Sequence, residues 1–187
     1  MCGRYCFDVN ANPKFQKLID QAKNQLTSKD MTLLQRGEIT PGQNAFLLIK
    51  DAQGIYHTRL ARWGFMSHHP RLIINARAET ADTTPFFQGC TRCLVFASGY
   101  FEWSKDHTKY IFLHEQGTIG LGGLLRTEAD GRQHFVILTQ QADANAATVH
   151  DRMPLAFDHD SAPLFFSAKT IHDAIAFSIP HRQAQRA

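Results

Sequence analysis

The 187-residue chain has no run of the roughly 18–20 consecutive apolar residues that a membrane-crossing helix requires. Its first residues also lack the charged-then-apolar layout of a secretory leader. These two absences point to a cytoplasmic address without a membrane partner. No internal repeat, low-complexity tract or Pro/Gly/Ser-rich linker interrupts the chain. A single domain over 1–187 is therefore expected, large enough to form a core without staples. An excess of one charge is missing too: 20 Lys and Arg against 17 Asp and Glu leave +3, which permits a nucleic-acid partner without demanding one. Cysteine is scarce, limited to Cys2, Cys6, Cys90 and Cys93, and in a reducing compartment these stay thiols. Two pairs four and three residues apart would allow a four-thiolate zinc site and hence a zinc-stabilised binding module. Cys93 to Ala97 reads instead as a buried strand, whereas zinc knuckles sit on Gly-rich turns. No metal and no cofactor is expected.

What the chain does have is apolar strand material: 43% hydrophobic residues, with 14 Phe among them. Asn10 or Asn12 before Pro13 starts a helix, and Phe15, Leu18, Ile19, Ala22 and Leu26 continue it at helical spacing. Gly37 to Gly42 reads as a turn, Ala45 to Lys50 as a strand, and Asp51 to Gly54 as a hairpin turn into a strand from Ile55 to Trp63. Gly64 to Arg71 is a loop, Leu72 to Ile74 a short buried strand, and Thr83 to Phe87 a brief helix. Strands follow at Cys93–Ala97, Tyr100–Ser104, Lys109–His114, Ile119–Arg126 and His134–Thr139, with Asp130-Gly131 turning the last pair. Gln141 to Thr148 looks helical, Val149 to Pro154 a polar loop, Thr170 to Phe177 a last helix, and the chain ends in a basic tail. The class is α+β: a twisted, mainly antiparallel, barrel-like β core with peripheral helices.

Chemistry concentrates first at Met1-Cys2-Gly3-Arg4-Tyr5. With Met1 removed, Cys2 becomes a 1,2-aminothiol whose amine and thiol have ordinary pKa values of roughly 8 and roughly 8.5. Such a pair condenses with an aldehyde to an imine and closes to a thiazolidine. A cysteine at position 2 is usually an accident of a loose terminus, but Gly3, Tyr5 and Phe7 read as ordered. Three polar stretches interrupt strand ends further on. Asn75 in Asn75-Ala76-Arg77-Ala78-Glu79-Thr80 is either a turn residue or a ligand for a substrate oxygen, and Arg77 either a solvated cation or a phosphate fork. Glu102 in Gly99-Tyr100-Phe101-Glu102-Trp103 either faces water or sits desolvated, with a raised pKa suited to proton transfer. In His150-Asp151-Arg152-Met153-Pro154 the first residues either cap a loop or supply a proton shuttle and a phosphate clamp.

Six blocks in order resemble the SOS response-associated peptidase (SRAP) family, the proteins that crosslink to abasic sites in single-stranded DNA. They are Met1 to Arg4, Ile39-Thr40-Pro41-Gly42, Arg62-Trp63-Gly64-Phe65, Ile74 to Thr80, Arg92-Cys93-Leu94 running into Gly99 to Trp103, and His150 to Pro154. Gly64 to Pro70 and the segment after Phe157 depart from the family pattern. The resemblance implies that Cys2 is the nucleophile and covalent anchor, that Asn75 positions the amine or the opened sugar, and that Glu102 is the acid/base for ring opening. It further implies that His150 assists proton transfer, that Arg4, Arg77 and Arg152 clamp phosphates, and that Pro41, Trp63 and Met153 form apolar walls. Its partner would be single-stranded DNA with abasic sites, handled by a monomer as part of the SOS response. The activity would be DNA-damage processing by self-crosslinking, classed as a hydrolase (protease) or lyase. The alternative is a cysteine peptidase or amidase using Cys2, Glu102 and His150, restricted in one version to removal of Met1.

Overall fold

A computed structural model describes residues 2–7, 27, 32, 37–68, 70–114, 117, 119–181 and 184–187. The helix expected between Asn10 and Leu26 lies outside the described residues. The strands are β1 (Arg4–Phe7), β2 (Gly37–Ile39), β3 (Asn44–Lys50), β4 (Tyr56–Trp63), β5 (Asn75–Arg77), β6 (Thr91–Ala97) and β7 (Gly99–Trp103). They continue with β8 (Lys109–Leu113), β9 (Ile119–Thr127), β10 (Gln133–Gln141), β11 (Arg152–Pro154), β12 (Ala156–Phe157) and β13 (Gln185–Arg186). Two short helices, α1 (Ala162–Ser167) and α2 (Ile171–Ala174), lie near the end.

One sheet closes on itself. β4 pairs β3, β3 pairs β6, β6 pairs β9, β9 pairs β10, and β10 returns to β4. This ring removes the edges that an open sheet would expose. Only the contacts of β10 with β4 and with β5 run parallel. The chain is α+β with a twisted, mostly antiparallel core, as its strand pattern leads one to expect. Closure forces close approach at β9, where a Cβ on Gly123 would come 2.8 Å from the Val136 carbonyl oxygen and 3.0 Å from Cys93 Sγ. The glycines of Ile119-Gly120-Leu121-Gly122-Gly123 are therefore a packing requirement.

A second sheet, β13-β8-β7-β1-β2, is antiparallel throughout and lies beside the barrel. Strand alternation sorts β7 into two faces. Phe101 and Trp103 face outward, where the Lys109 ammonium lies 4.1 Å from the Phe101 ring centroid. Tyr100 and Glu102 share the opposite, buried face, with Tyr100 directly across from Tyr5 of β1.

Five expectations shift, the first being that Gly37–Ile39, expected within a turn, forms β2 against β1. Ile73 only bridges Phe65, and the strand that follows begins at Asn75, because β10 offers its edge to Asn75–Arg77. β10 runs on to Gln141, so the helix expected from Gln141 shrinks to a single 3-10 turn at Ala146–Thr148. The expected loop ending at Pro154 contains β11, which pairs Thr139 to Gln141 just past the residues β9 occupies. The basic tail is docked through β13, and His181 is buried with Nε2 3.0 Å from the Pro154 carbonyl oxygen.

Candidate functional site

Cys2 sits immediately before β1 and is fully buried where the two sheets meet. The Asn75 amide of β5 reaches across from the barrel sheet and donates from Nδ2 to the Cys2 carbonyl oxygen at 3.1 Å. Burial pushes the Cys2 thiol far up, and the nearby Glu102 carboxyl pushes it further. At neutral pH the sulfur therefore stays protonated. Its weak hydrogen bond goes to the Arg4 carbonyl oxygen at 3.9 Å.

Glu102 is 3% exposed and stands at the edge of a cleft of roughly 720 Å³ that Trp103, Lys105, Gln141, His150 and Asp151 also line. Desolvation raises its carboxyl above the usual range, against the positive charge of the chain's amino terminus and of His150. The shift favours the proton-bound form, the direction a proton donor needs. His150 is held by the backbone: the Arg152 N–H donates to Nδ1 at 3.0 Å. The Asp151 carboxylate lies 2.9 Å from the same nitrogen. Only one of these can be satisfied at a time. Asp151 is 80% exposed and loses little by turning to water, whereas the backbone amide is fixed by the turn into β11.

The arginines divide. Arg77 is exposed, lies on the same face of β5 as Asn75, and donates to no acceptor among the described residues. Arg4 bonds Glu38 at 2.9 Å and lies 5.4 Å over the Trp103 ring, which places it at the rim of the cleft. Arg152 is committed to the frame, not to the cleft. Its Nη1 and Nη2 grip the two Glu79 oxygens at 2.6 and 2.8 Å, and Nη2 also donates to the Thr139 carbonyl oxygen at 2.7 Å. Its remaining Nε has no partner among the described residues but is buried, so no edge of the fork is exposed to a phosphate, and in place of the expected clamp Arg152 forms a strut between β10, β11 and the segment after β5.

Of the expected apolar walls, Pro41 is half-buried in the turn after β2. Trp63 is fully buried, stacks on Phe135 with centroids 6.2 Å apart, and donates to the Ile74 carbonyl oxygen at 2.9 Å. Met153 is 5% exposed, and its sulfur accepts from the Asp143 N–H at 3.3 Å. Both belong to the core behind the site and present no face to a base, because their strand positions point inward. The two cysteine pairs do not converge either. Among the described residues, no three His, Cys, Asp or Glu side chains group as a metal site, and none of Cys2, Cys6, Cys90 and Cys93 is in a disulfide.

Sequence reasoning passed over two residues, Tyr5 and Tyr100. The signal was present in the two-residue period, which puts Tyr100 on the face of Glu102. Both are fully buried, and their hydroxyls have no hydrogen-bond partner among the described residues.

A closed β barrel and a companion sheet meet over the buried Cys2, Asn75 and Glu102, and this architecture sets the class of protein. The family described as SOS response associated peptidase (SRAP) matches residues 1–185, and the chain belongs to it. It is 28% identical over 175 residues to the abasic site processing protein YedK of Escherichia coli strain K12, covering 87% of this chain and 78% of the relative. It is 25% identical to the abasic site processing protein YoaM of Bacillus subtilis strain 168, covering 86% and 76%. Among solved structures, a Bordetella bronchiseptica protein matches the whole chain and 99% of its own with a TM-score of 0.73 at 16% identity. That likeness is one of fold.

Proposed function

We propose that this protein processes abasic sites in single-stranded DNA by capturing them covalently through Cys2 once Met1 has been removed. The observation that carries the reading is the meeting of Cys2 and Asn75 beside a buried Glu102, whose carboxyl is shifted upward by desolvation, and a backbone-oriented His150. The relatives named as abasic site processing proteins support it. An abasic sugar is mostly a closed hemiacetal. Glu102 gives a proton to the ring oxygen as the C1′ hydroxyl loses its own, so the C1′–O4′ bond breaks and the aldehyde appears. The freed α-amine adds to C1′, and loss of water leaves an imine. The thiol then adds to the same carbon, its proton passing to the imine nitrogen by way of Glu102 or His150. The sum is aldehyde plus aminothiol giving thiazolidine plus one water.

The thiol's elevated pKa orders these steps. A protonated sulfur is a poor first nucleophile, so the amine attacks first, and the positive iminium then favours loss of the S–H proton. The same feature weighs against a peptidase acting on other chains, which needs a standing thiolate. A single strand suits the cleft because a sugar without a base can be splayed into it, and Arg77 and Arg4 would follow the backbone without reading sequence. Action as a monomer, in the cytoplasm and during the SOS response, belongs to the same reading.

Mature protein mixed with single-stranded DNA bearing one abasic site should give a heat-stable adduct one water lighter than the sum of its parts. The Cys2→Ala variant should give none. An undiminished adduct in that variant would end the proposal.

A further inference from the structure

Three buried polar atoms near Cys2 have no hydrogen-bond partner among the described residues: the hydroxyls of Tyr5 and Tyr100 and the Oδ1 of Asn75. Tyr5 and Tyr100 face each other across β1 and β7 on the buried side of that sheet. Asn75 approaches from the barrel side and is tied by its other amide atom to the Cys2 backbone. Buried polar atoms are normally satisfied, and those left open in a folded protein call for an explanation. Here three of them surround one residue. The tyrosines are held rigidly: Tyr100 stacks on Phe112 with centroids 4.7 Å apart and meets His181 edge-on at 4.9 Å, and Tyr5 packs on Trp63 at 5.4 Å. Burial raises both phenols, and the nearby Cys2 raises them further. They can donate a proton to a hydrogen bond but do not ionise.

We infer that Tyr5, Tyr100 and the Oδ1 of Asn75 form a receptor for a single hydroxyl group, the C4′ hydroxyl set free when the abasic sugar opens. The inference rests on the covalent reading above. The match is one of inventory. A hydroxyl has one donor and two acceptor lone pairs, and the receptor offers one acceptor and two donors. In an abasic site within a strand, the 3′ and 5′ oxygens are esterified and C1′ is consumed by the adduct. The C4′ oxygen is thus the one free hydroxyl that the opened sugar retains. Holding it would disfavour reclosure of the ring and aim C1′ at the amine. The three atoms would then reject an aldehyde lacking that hydroxyl, because it would leave them unsatisfied as before.

The test compares two single strands that react at the same carbon type. One carries an abasic site, and the other is identical except for an alkyl aldehyde arm without a hydroxyl. Adduct rates are measured for wild type, Tyr5→Phe and Tyr100→Phe, with melting temperatures recorded alongside. Each variant should lose up to about tenfold in rate on the abasic strand, the range of one hydrogen bond, and little on the alkyl aldehyde. Melting temperature should stay level or rise, since an unpaired buried hydroxyl has been removed. Equal losses on both strands, or no loss on either from both variants, would overturn the inference. If one variant fails to fold, the other decides. Absence of any adduct from wild type on both strands would instead overturn the covalent function, and this receptor with it.

Discussion

The polar groups around Arg152 and those around Cys2 are both largely buried, yet they are bonded in opposite ways. Around Arg152, where only the buried Nε lacks a partner among the described residues, the two Glu79 oxygens, the Thr139 carbonyl and the Gln141 amide are joined in one network. Similar frames hold the loop after β4, where the Arg126 guanidinium is gripped by Glu128, which also accepts from the Met66 amide at 3.1 Å. Around Cys2 the Tyr5 and Tyr100 hydroxyls and Asn75 Oδ1 have no partner among the described residues, and desolvation raises the Glu102 carboxyl. A satisfied network fixes geometry, whereas an open one stores unmet interaction for something that arrives later. The contrast explains why two motifs of equal polarity in the sequence play different parts.

The sharpest way to break the comparison is Glu102→Gln. If this carboxyl relays protons, adduct formation should fall by about 10²–10⁴-fold, measured as single-turnover crosslinking at neutral pH. Stability should move the other way. Glu102 has a folded pKa raised above its ordinary 4.5, so its proton-bound form stabilises the fold at low pH. That contribution is lost as pH rises through the raised folded value. Urea titrations should therefore find the Gln variant more stable than wild type above this range, with the advantage shrinking as pH falls toward the ordinary carboxylate value. A variant that is slower and also less stable at neutral pH would mark Glu102 as part of the frame.

Arg152→Ala addresses the other half. It leaves the Glu79 carboxylate without its fork and should cost about 2–3 kcal/mol, read as a drop of roughly 5–10 °C in melting temperature. The Glu79 carboxyl is held below its usual value, first by its hydrogen bond to Arg152. The stability it contributes is present above the ordinary carboxylate pKa and lost as pH falls through the lowered one. That acid-side loss should shrink in Arg152→Ala. The salt dependence of DNA binding should not change, and a reduced slope would restore Arg152 to the phosphate contacts.

How much of this was legible beforehand follows the reach of each interaction. Strands such as Asn44–Lys50 and Thr91–Ala97 are announced by their own residues, because each is an apolar run buried in the barrel. Asn75–Arg77 and Arg152–Pro154 are strands only because β10 has free edges there, which three-residue patterns cannot reveal. Around the site, Cys2 and Glu102 were readable from chemistry and aromatic context. The division between Arg77 and Arg152 was not, since it depends on Glu79 lying within reach of one guanidinium and not the other. The inward turn of Trp63 and Met153 was readable in principle from strand alternation. Tyr5 and Tyr100 needed the β1–β7 register, which only the folded chain supplies.

Arg77→Ala gives the smallest effect and the finest discrimination. Arg77 donates to no acceptor among the described residues and is exposed, so its loss should leave the unfolding free energy within about 0.5 kcal/mol of wild type. If it neutralises one phosphate, the slope of log affinity against log salt should shrink by about 0.7, the value for one contact on a single strand. Binding should weaken several-fold at low salt and converge with wild type as salt rises, equally for strands of different sequence. Affinity is best read with Cys2→Ala as background, so that covalent capture does not obscure the equilibrium. Paired with Arg152→Ala, the two arginines should separate cleanly, one changing stability without the salt slope and the other the salt slope without stability. Should both move the same observable, the division between frame and site drawn from their hydrogen bonds would fail at its most exposed residue.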